Sequence, residues 1–408
     1  MSHDSTSDAR PVNRRQPLRL ADIVEDLLWP NLFRSVRLAL RPATLALGLL
    51  LVLLTLAIGD LGALWGDGDW LDLALTTTGA GGATFLEALL DLDGARALSA
   101  VSGVLFDLPL TLLRDHTMSL VLLTIPLACV WCLCTGAISR VAAIEYGAGV
   151  FMMSRSALGF AGPRLLSLIG AQFGTWIGAW LIVGAMAGAG WLLFSFPLVN
   201  TIGALLFPFF LLGGLLCAMI LLLSLAGCPM FIPGVACEGV DALDAVQRVI
   251  SMVVANPLRL LLYLLILGLI GLGAVFIVNL VIEGAVAISI GAGAAWSGER
   301  GEATMLGAGT APEETSAPHD IVLFWISAMR LLGAAFLVSW YACASTLLFL
   351  MLREATTGQE RTDIWMPGMI EATMAEAVRA RGATVDEAKK NAVSRLGDRR
   401  DDDLDEPS

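Results

Sequence analysis

Six apolar stretches dominate the chain, running approximately from Ala43 to Gly59, Met118 to Ile138, Leu165 to Leu193, Ile202 to Gly227, Leu258 to Ile290 and Ile321 to Leu352. About 20 apolar residues are needed to cross ~30 Å of hydrocarbon, and a helix satisfies every backbone polar group internally on the way. The fold expected is therefore all-α: a polytopic integral membrane protein with six transmembrane helices. The first stretch is short and the fifth long, an excess that tilt or continued helix beyond the bilayer absorbs. Composition agrees, with 57% hydrophobic and 15% charged residues and a mean hydropathy of +0.77. It excludes disordered, collagen-like and disulfide-scaffold proteins.

Orientation follows from the basic residues, because short basic loops stay in the cytoplasm. Arg10, Arg14, Arg15, Arg19, Arg34, Arg37 and Arg41 precede the first stretch; Arg140, Arg155, Arg164, Arg248 and Arg259 fall in alternate loops; a further cluster ends the chain. The intervening loops hold only Arg96, Arg114 and Arg300. Both termini are expected in the cytoplasm, which requires an even number of spans. The 42 residues before the first stretch are too long and polar for the start of a cleaved signal, so that stretch is expected to stay as an anchor. Arginine outnumbers lysine 23 to 2, pointing to a GC-rich bacterial genome and an inner-membrane home.

Three regions are expected: a disordered cytoplasmic stretch over residues 1–20, a membrane domain over 21–352 with external loops near 60–117 and 291–320, and a cytoplasmic tail over 353–408. In the first loop, Phe85, Leu86, Leu89 and Leu90 and then Leu98, Val101, Val104 and Leu105 suggest two short amphipathic helices, on the outer surface or dipping between spans. The tail should hold helices over Glu371–Arg381 and Val385–Leu396 before the acidic run at Asp401–Glu406.

Internal repetition adds more. Three spans running outward begin at Pro42, Pro163 and Pro257, each with an arginine within two residues, and a glutamate, Glu25, Glu145 or Glu238, lies 17 to 19 residues earlier. Proline suits a first helical turn, where its missing N–H is not needed. Before Pro257 the chain reads as an amphipathic helix: Val240, Leu243, Val246, Ile250 and Val253 on one side, Asp241, Asp244, Arg248 and Ser251 on the other, with Asp244 and Arg248 spaced as an i, i+4 pair. Such an elbow would lie among cytoplasmic headgroups and turn at the proline into the span. Three parallel units of elbow plus helical hairpin result; ordinary amphipathic loops are the alternative.

Cys228 to Leu265, CPMFIPGVACEGVDALDAVQRVISMVVANPLRLLLYLL, together with SWYACASTLLFLMLREATTG at Ser339–Gly358, resembles bacterial polytopic families of unknown function and the membrane domain attached to some glycerophosphodiester phosphodiesterases. The resemblance implies membrane topology only. The catalytic domain of those enzymes has no counterpart here: no His-Gly-x-x-Gly-like segment occurs, and the histidines are His3, His116 and His319.

Small residues mark helix contacts. Gly170, Gly174 and Gly178 form two G-x-x-x-G steps, continued by Gly184 and Gly188, and should pack inside the bundle; a homodimer seam is the alternative. Glu283 and Arg330 are the ionisable residues within the six stretches, on consecutive helices toward their outer ends, and form the candidate buried ion pair. A structural pair fits better than a gate, since transport sites need polar groups near the midplane. Gln172 and Asn279 stand alone.

Cys129, Cys132 and Cys134 lack a partnering histidine or carboxylate, so packing is favoured over metal. GDGDWLD at Gly66–Asp72 contains the tetrapeptide of intramembrane aspartyl proteases without their second aspartate, and Asp67, Asp69 and Asp72 lack the other ligands of a calcium loop. No nucleotide, zinc-hydrolase or nucleophile-elbow motif occurs. No catalytic residue, cofactor, metal or nucleic-acid partner is expected. The expected partners are the bilayer and a protein partner or second copy, and the expected role is a membrane scaffold or accessory subunit, with a small-molecule or ion transporter built from the repeats as the alternative. The net charge of -12 collects on the outer segments, leaving the inner ones nearly neutral.

Overall fold

The computed structural model describes residues 32–196, 200–298, 301, 304–305, 316–359 and 364. Among these every regular element is helical: α1 (Arg34–Ala39), α2 (Pro42–Leu61), α3 (Trp70–Leu90), α4 (Gly94–Ser102), α5 (Leu108–Asp115), α6 (Thr117–Ala148), α7 (Ser154–Ala161), α8 (Leu165–Phe194), α9 (Asn200–Glu238), α10 (Ala242–Ala255), α11 (Pro257–Ala294) and α12 (Ser316–Thr357). Glu25, the start of the chain, and the helices and acidic run expected after Gln359 lie outside the described residues.

Each expected apolar stretch lies within one helix, in order α2, α6, α8, α9, α11 and α12. The helices outrun the stretches. α9 continues past Gly227 through Pro229 and Pro233, although an interior proline removes a hydrogen bond and crowds the preceding turn. Burial outweighs that penalty: Met230, Phe231 and Val235 are fully enclosed. At 38 residues α11 is about 57 Å long, nearly twice the hydrocarbon thickness.

Seven helical stretches among the described residues are long and apolar enough to cross a membrane. The seventh, Gly94–Asp115, falls in the region expected to be an external loop. There α4, a π-helical segment at Gly103–Asp107 and α5 run on as one rod. The wide turn precedes Pro109, whose ring and missing N–H disfavour a regular α ladder. This rod packs back on α3 as a hairpin, in place of two short helices. Asp93 caps α4 by accepting from the N–H groups of Ala95 and Arg96 at 3.1 Å, and Arg96 clamps the arms through Glu87 at 2.9 Å and Asp91 at 3.5 Å. The hairpin's length is hidden in the sequence because Thr76 to Thr84, rich in threonine and glycine, dilutes its apolar signal.

At three places an elbow precedes a long helix. Pro42 opens α2 behind an extended Arg41, Pro257 opens α11, and Pro163 sits in a 3-10 turn, Gly162–Arg164, leading into α8. The elbows α1, α7 and α10 pack on α12, α6 and α9 respectively, the helices that return to the elbow end. α6, α9 and α12 also pack on one another, so α1 against α12 joins the first and last parts of the fold. Their elbow-end halves form the core, with Ile138, Val141, Phe231, Val235, Leu347 and Phe349 at 0% exposure. Toward the far end α8 with α9, and α11 with α12, continue as separate pairs covered by exposed Leu205, Phe209, Phe276, Leu280 and Phe324. A small second cluster of Trp70, Leu71 and Leu123 fixes the root of the α3 hairpin, aided by Trp70 Nε1 donating to the Gly59 carbonyl at 3.1 Å.

Candidate functional site

The charged groups gather where helices end. α6 and α12 each close on a left-handed glycine, Gly149 and Gly358, whose N–H groups donate to the carbonyls of Glu145 and Glu354. α9 closes on left-handed Gly239 in the same manner. A Cβ is disfavoured at such φ, which is why glycine stands at all three.

Glu145 pairs with Arg41, the residue before Pro42, and so ties the end of α6 to the start of α2. Glu238 is 92% enclosed: Arg248 Nη1 of α10 donates to its Oε2 at 2.7 Å, and Arg353 Nη1 of α12 lies 3.8 Å from its Oε1. Two of the three glutamates that mark the repeat spacing, Glu145 and Glu238, are thus ion-pair centres between elements. Sequence alone does not reveal their partners, since Arg41 reads as a topology signal and Arg353 as a tail charge. The i, i+4 pair expected between Asp244 and Arg248 does not form; Arg248 turns to Glu238, which is better shielded from water. On α10 the buried stripe is Ala245, Val249, Met252 and Val253, whereas Leu243, expected on the apolar side, is 83% exposed.

The expected helix-packing glycines are only partly engaged. A Cβ at Gly170 would meet Ala242 of α10, but around Gly174, Gly178, Gly184 and Gly188 there is open space. The expectation that this row packs inside the bundle is corrected accordingly. Close approaches occur elsewhere: Gly48 of α2 faces the Ala335 carbonyl, Gly136 of α6 faces Leu168, and Gly271 of α11 faces Trp340. Gly136 and Gly271 lie outside any G-x-x-x-G spacing, and Gly48 shares only a single four-residue step with Thr44, so the sequence carries little signal for them.

Glu283 and Arg330 do meet, in two parallel bonds of 2.7 and 2.9 Å. They are not buried: the side chains are 51% and 57% exposed. Glu283 lies about 39 Å along α11 from Pro257, beyond the ~30 Å of hydrocarbon if that proline marks the interface. The bidentate geometry suits an exposed staple between two helices rather than an intramembrane ion site.

Near the α8–α9 interface, Gln172 Nε2 donates to Cys228 Sγ at 3.1 Å. Gln172 Oε1, Thr175 Oγ1 and Ser224 Oγ are buried there without a hydrogen-bond partner among the described residues. Gln172, expected to stand alone, is therefore in polar company. The cysteines are free thiols, mostly buried, and no metal-holding group of His, Cys, Asp or Glu occurs among the described residues.

No protein-family model matches the chain, and no curated protein or solved structure matches it. Two further hollows bear on function. One, of about 510 Å³, lies between the α3–α5 hairpin and α8–α9, with walls of Phe85, Leu98, Leu105, Met186, Leu221 and Leu225 and almost no polar surface. The other, of about 530 Å³, lies at the elbow end. There Arg140 of α6, only 1% exposed, donates from Nη1 to the Ala236 carbonyl at 2.9 Å and sits 4.2 Å from the ring centre of Phe160 on α7. Arg164 approaches the same ring at 4.3 Å.

Proposed function

We propose that this protein is a non-enzymatic membrane scaffold or accessory subunit whose interlocked elbow end holds three lipid-facing hairpins in a fixed arrangement. The observation that carries this reading is the fully enclosed core shared by α6, α9 and α12, with ion pairs at Glu145 and Glu238 stitching successive elements around it. A rigid closed end beneath separate arms suits presentation of surfaces to a partner better than a conduit. The resemblance to membrane domains that accompany other functional units fits the same role.

We further propose three repeats, supported by three elbows each packed on the preceding returning helix, and an insertion, α3 to α5, within the first. That hairpin raises the number of crossings from six to eight. Its first arm, 21 residues, is about 31 Å long, and Phe85 and Leu105 reach the level of Leu225 on α9. An even count keeps both termini on the cytoplasmic side of a bacterial inner membrane, as the arginine distribution requires. Glu87, Asp91, Asp93 and Arg96 then move to the inner face.

Cysteine labelling with a membrane-impermeant maleimide checks the topology: Leu92→Cys and Asp244→Cys should react only from inside. Reaction of Asp244→Cys from outside would overturn the orientation, and of Leu92→Cys alone the eight-span count. For the role, full-length protein extracted in mild detergent should run as a defined complex with a stoichiometric partner or second copy. A lone monomer that moves solute in proteoliposomes would sink the scaffold proposal. One observation favours that transporter reading, the polar atoms of Gln172 and Ser224 that are buried without a partner among the described residues.

A further inference from the structure

We propose that the apolar hollow between the α3–α5 hairpin and α8–α9 is a binding site for one acyl chain of a membrane phospholipid. Its walls come largely from three helical stretches that are each long and apolar enough to cross a membrane, Gly94–Asp115, Ser154–Phe194 and Asn200–Glu238, so the medium that reaches it is lipid. At about 510 Å³ it falls within the ~300–1,000 Å³ of ordinary ligand sites. Native packing closes gaps of this size, because atoms that line a void lose their dispersion partners. Here the walls are held apart. The hairpin packs its arms on each other and on α6, and toward α8 the ring of Phe106 rests on Trp180 with centroids 5.2 Å apart. A hydrocarbon chain in the hollow restores the contacts that the standing-off helices do not make.

The lining sets the chemistry of the occupant. Among the described residues that line the hollow, Ser102 and Cys217 alone carry polar side chains, and both are turned back onto backbone. Ser102 Oγ donates to the Ser99 carbonyl at 3.0 Å and Cys217 Sγ to the Ala179 carbonyl at 3.8 Å. A polar ligand group would lose its hydration there and gain no bond in return. No charged residue occurs between Arg164 and Glu238, and none lines the hollow, so a phosphate has no counter-charge within it. That charge pattern fits the tail of a phospholipid and leaves its headgroup outside. Met186, unbranched and flexible, lets the wall follow a chain. The site is independent of the scaffold role and of the number of crossings.

The experiment uses full-length protein in proteoliposomes of phosphatidylglycerol containing a trace of the same lipid with a diazirine midway along one acyl chain. Photolabel is mapped by peptide, and retained lipid is counted by native mass spectrometry after extraction in mild detergent. Label should concentrate on residues 97–106 and 214–225, and one phospholipid should stay with each protein. Ala218→Trp, which fills the hollow from α9, should cut the retained lipid about tenfold. Met219→Trp, adjacent in the chain but outside the hollow and 54% exposed, should leave it unchanged. Ala97→Trp fills the hollow from the opposite wall and should repeat the loss, and the melting temperature of each variant separates a filled site from a failed fold. If a filling variant does not fold, the label map on the parent decides alone. Label spread evenly over the exposed faces of α9 and α11, or retention that both filling variants leave intact, would overturn the site. An isoprenoid or a protein segment found on those residues would overturn the phospholipid assignment.

Discussion

The two ends of the bundle are built on different rules. At the elbow end, helix meets helix through enclosed side chains such as Phe231 and Phe349, and charges are paired between elements at Glu145 and Glu238. At the far end the same helices carry leucine and phenylalanine on open faces, glycines such as Gly184, Gly188 and Gly284 face open space, and the ion pair between Glu283 and Arg330 is half exposed. In lipid an exposed apolar face carries no hydrophobic penalty, so close packing must come from dispersion and polar contacts. The chain concentrates both in one half, which teaches that the elbow end specifies the fold while the far end is left to interact with lipid or another surface.

The sharpest way to break that contrast is to truncate matched aromatics on one helix. Phe231→Ala, at 0% exposure, should lower stability by about 3–5 kcal/mol, whereas Phe209→Ala, at 68% exposure, should leave the melting temperature in detergent unchanged. Equal losses would mean that the far end packs as tightly as the elbow end.

The charged pairs offer the next test. Glu238→Gln weakens the links to both Arg248 and Arg353 in an enclosed setting and should lower stability by about 2–3 kcal/mol. Glu283→Gln, on the exposed pair, should not shift the melting temperature measurably. Glycines give a smaller contrast. Gly48→Leu drives a side chain into the Ala335 backbone and should destabilise by about 1–3 kcal/mol, while Gly178→Leu enters open space and should be neutral in the monomer. If Gly178→Leu instead dissolves an oligomer on size-exclusion chromatography, the small-residue row of α8 is its seam.

How much of this could be read from the sequence divides along the same line. Helix positions were legible because apolar length is a strong constraint, and the three proline elbows were legible because proline marks a first turn. The hairpin's length was hidden, since the Thr76 to Thr84 segment is neither clearly apolar nor clearly polar. Pairings such as Arg41 with Glu145 and Arg353 with Glu238 join residues far apart in the chain, and one sequence carries no record of them. The row Gly170, Gly174 and Gly178 misled for a related reason: spacing shows that a surface is smooth, not that another helix covers it.

The smallest predicted effect bears on the one place where the packed end breaks its own rule. Gln172 is 8% exposed, its amide N–H reaches a thiol that is a poor acceptor, and its Oε1 is buried without a partner among the described residues, as is the hydroxyl of Ser224. An unsatisfied buried polar atom destabilises more than a weak bond to sulfur can offset, so Gln172→Leu, similar in volume, should raise stability by about 1 kcal/mol in a denaturant titration. Under the scaffold proposal that gain comes without functional loss, because Gln172 is then a tolerated imperfection. Under the transporter reading the unpartnered atoms are the reason the residue is there, and the stabilised variant would lose solute flux in proteoliposomes, following the usual exchange of stability for activity. A variant that is less stable than the parent would instead show that Gln172 has a partner that stabilises the core, and the polar company around it would belong to the packing.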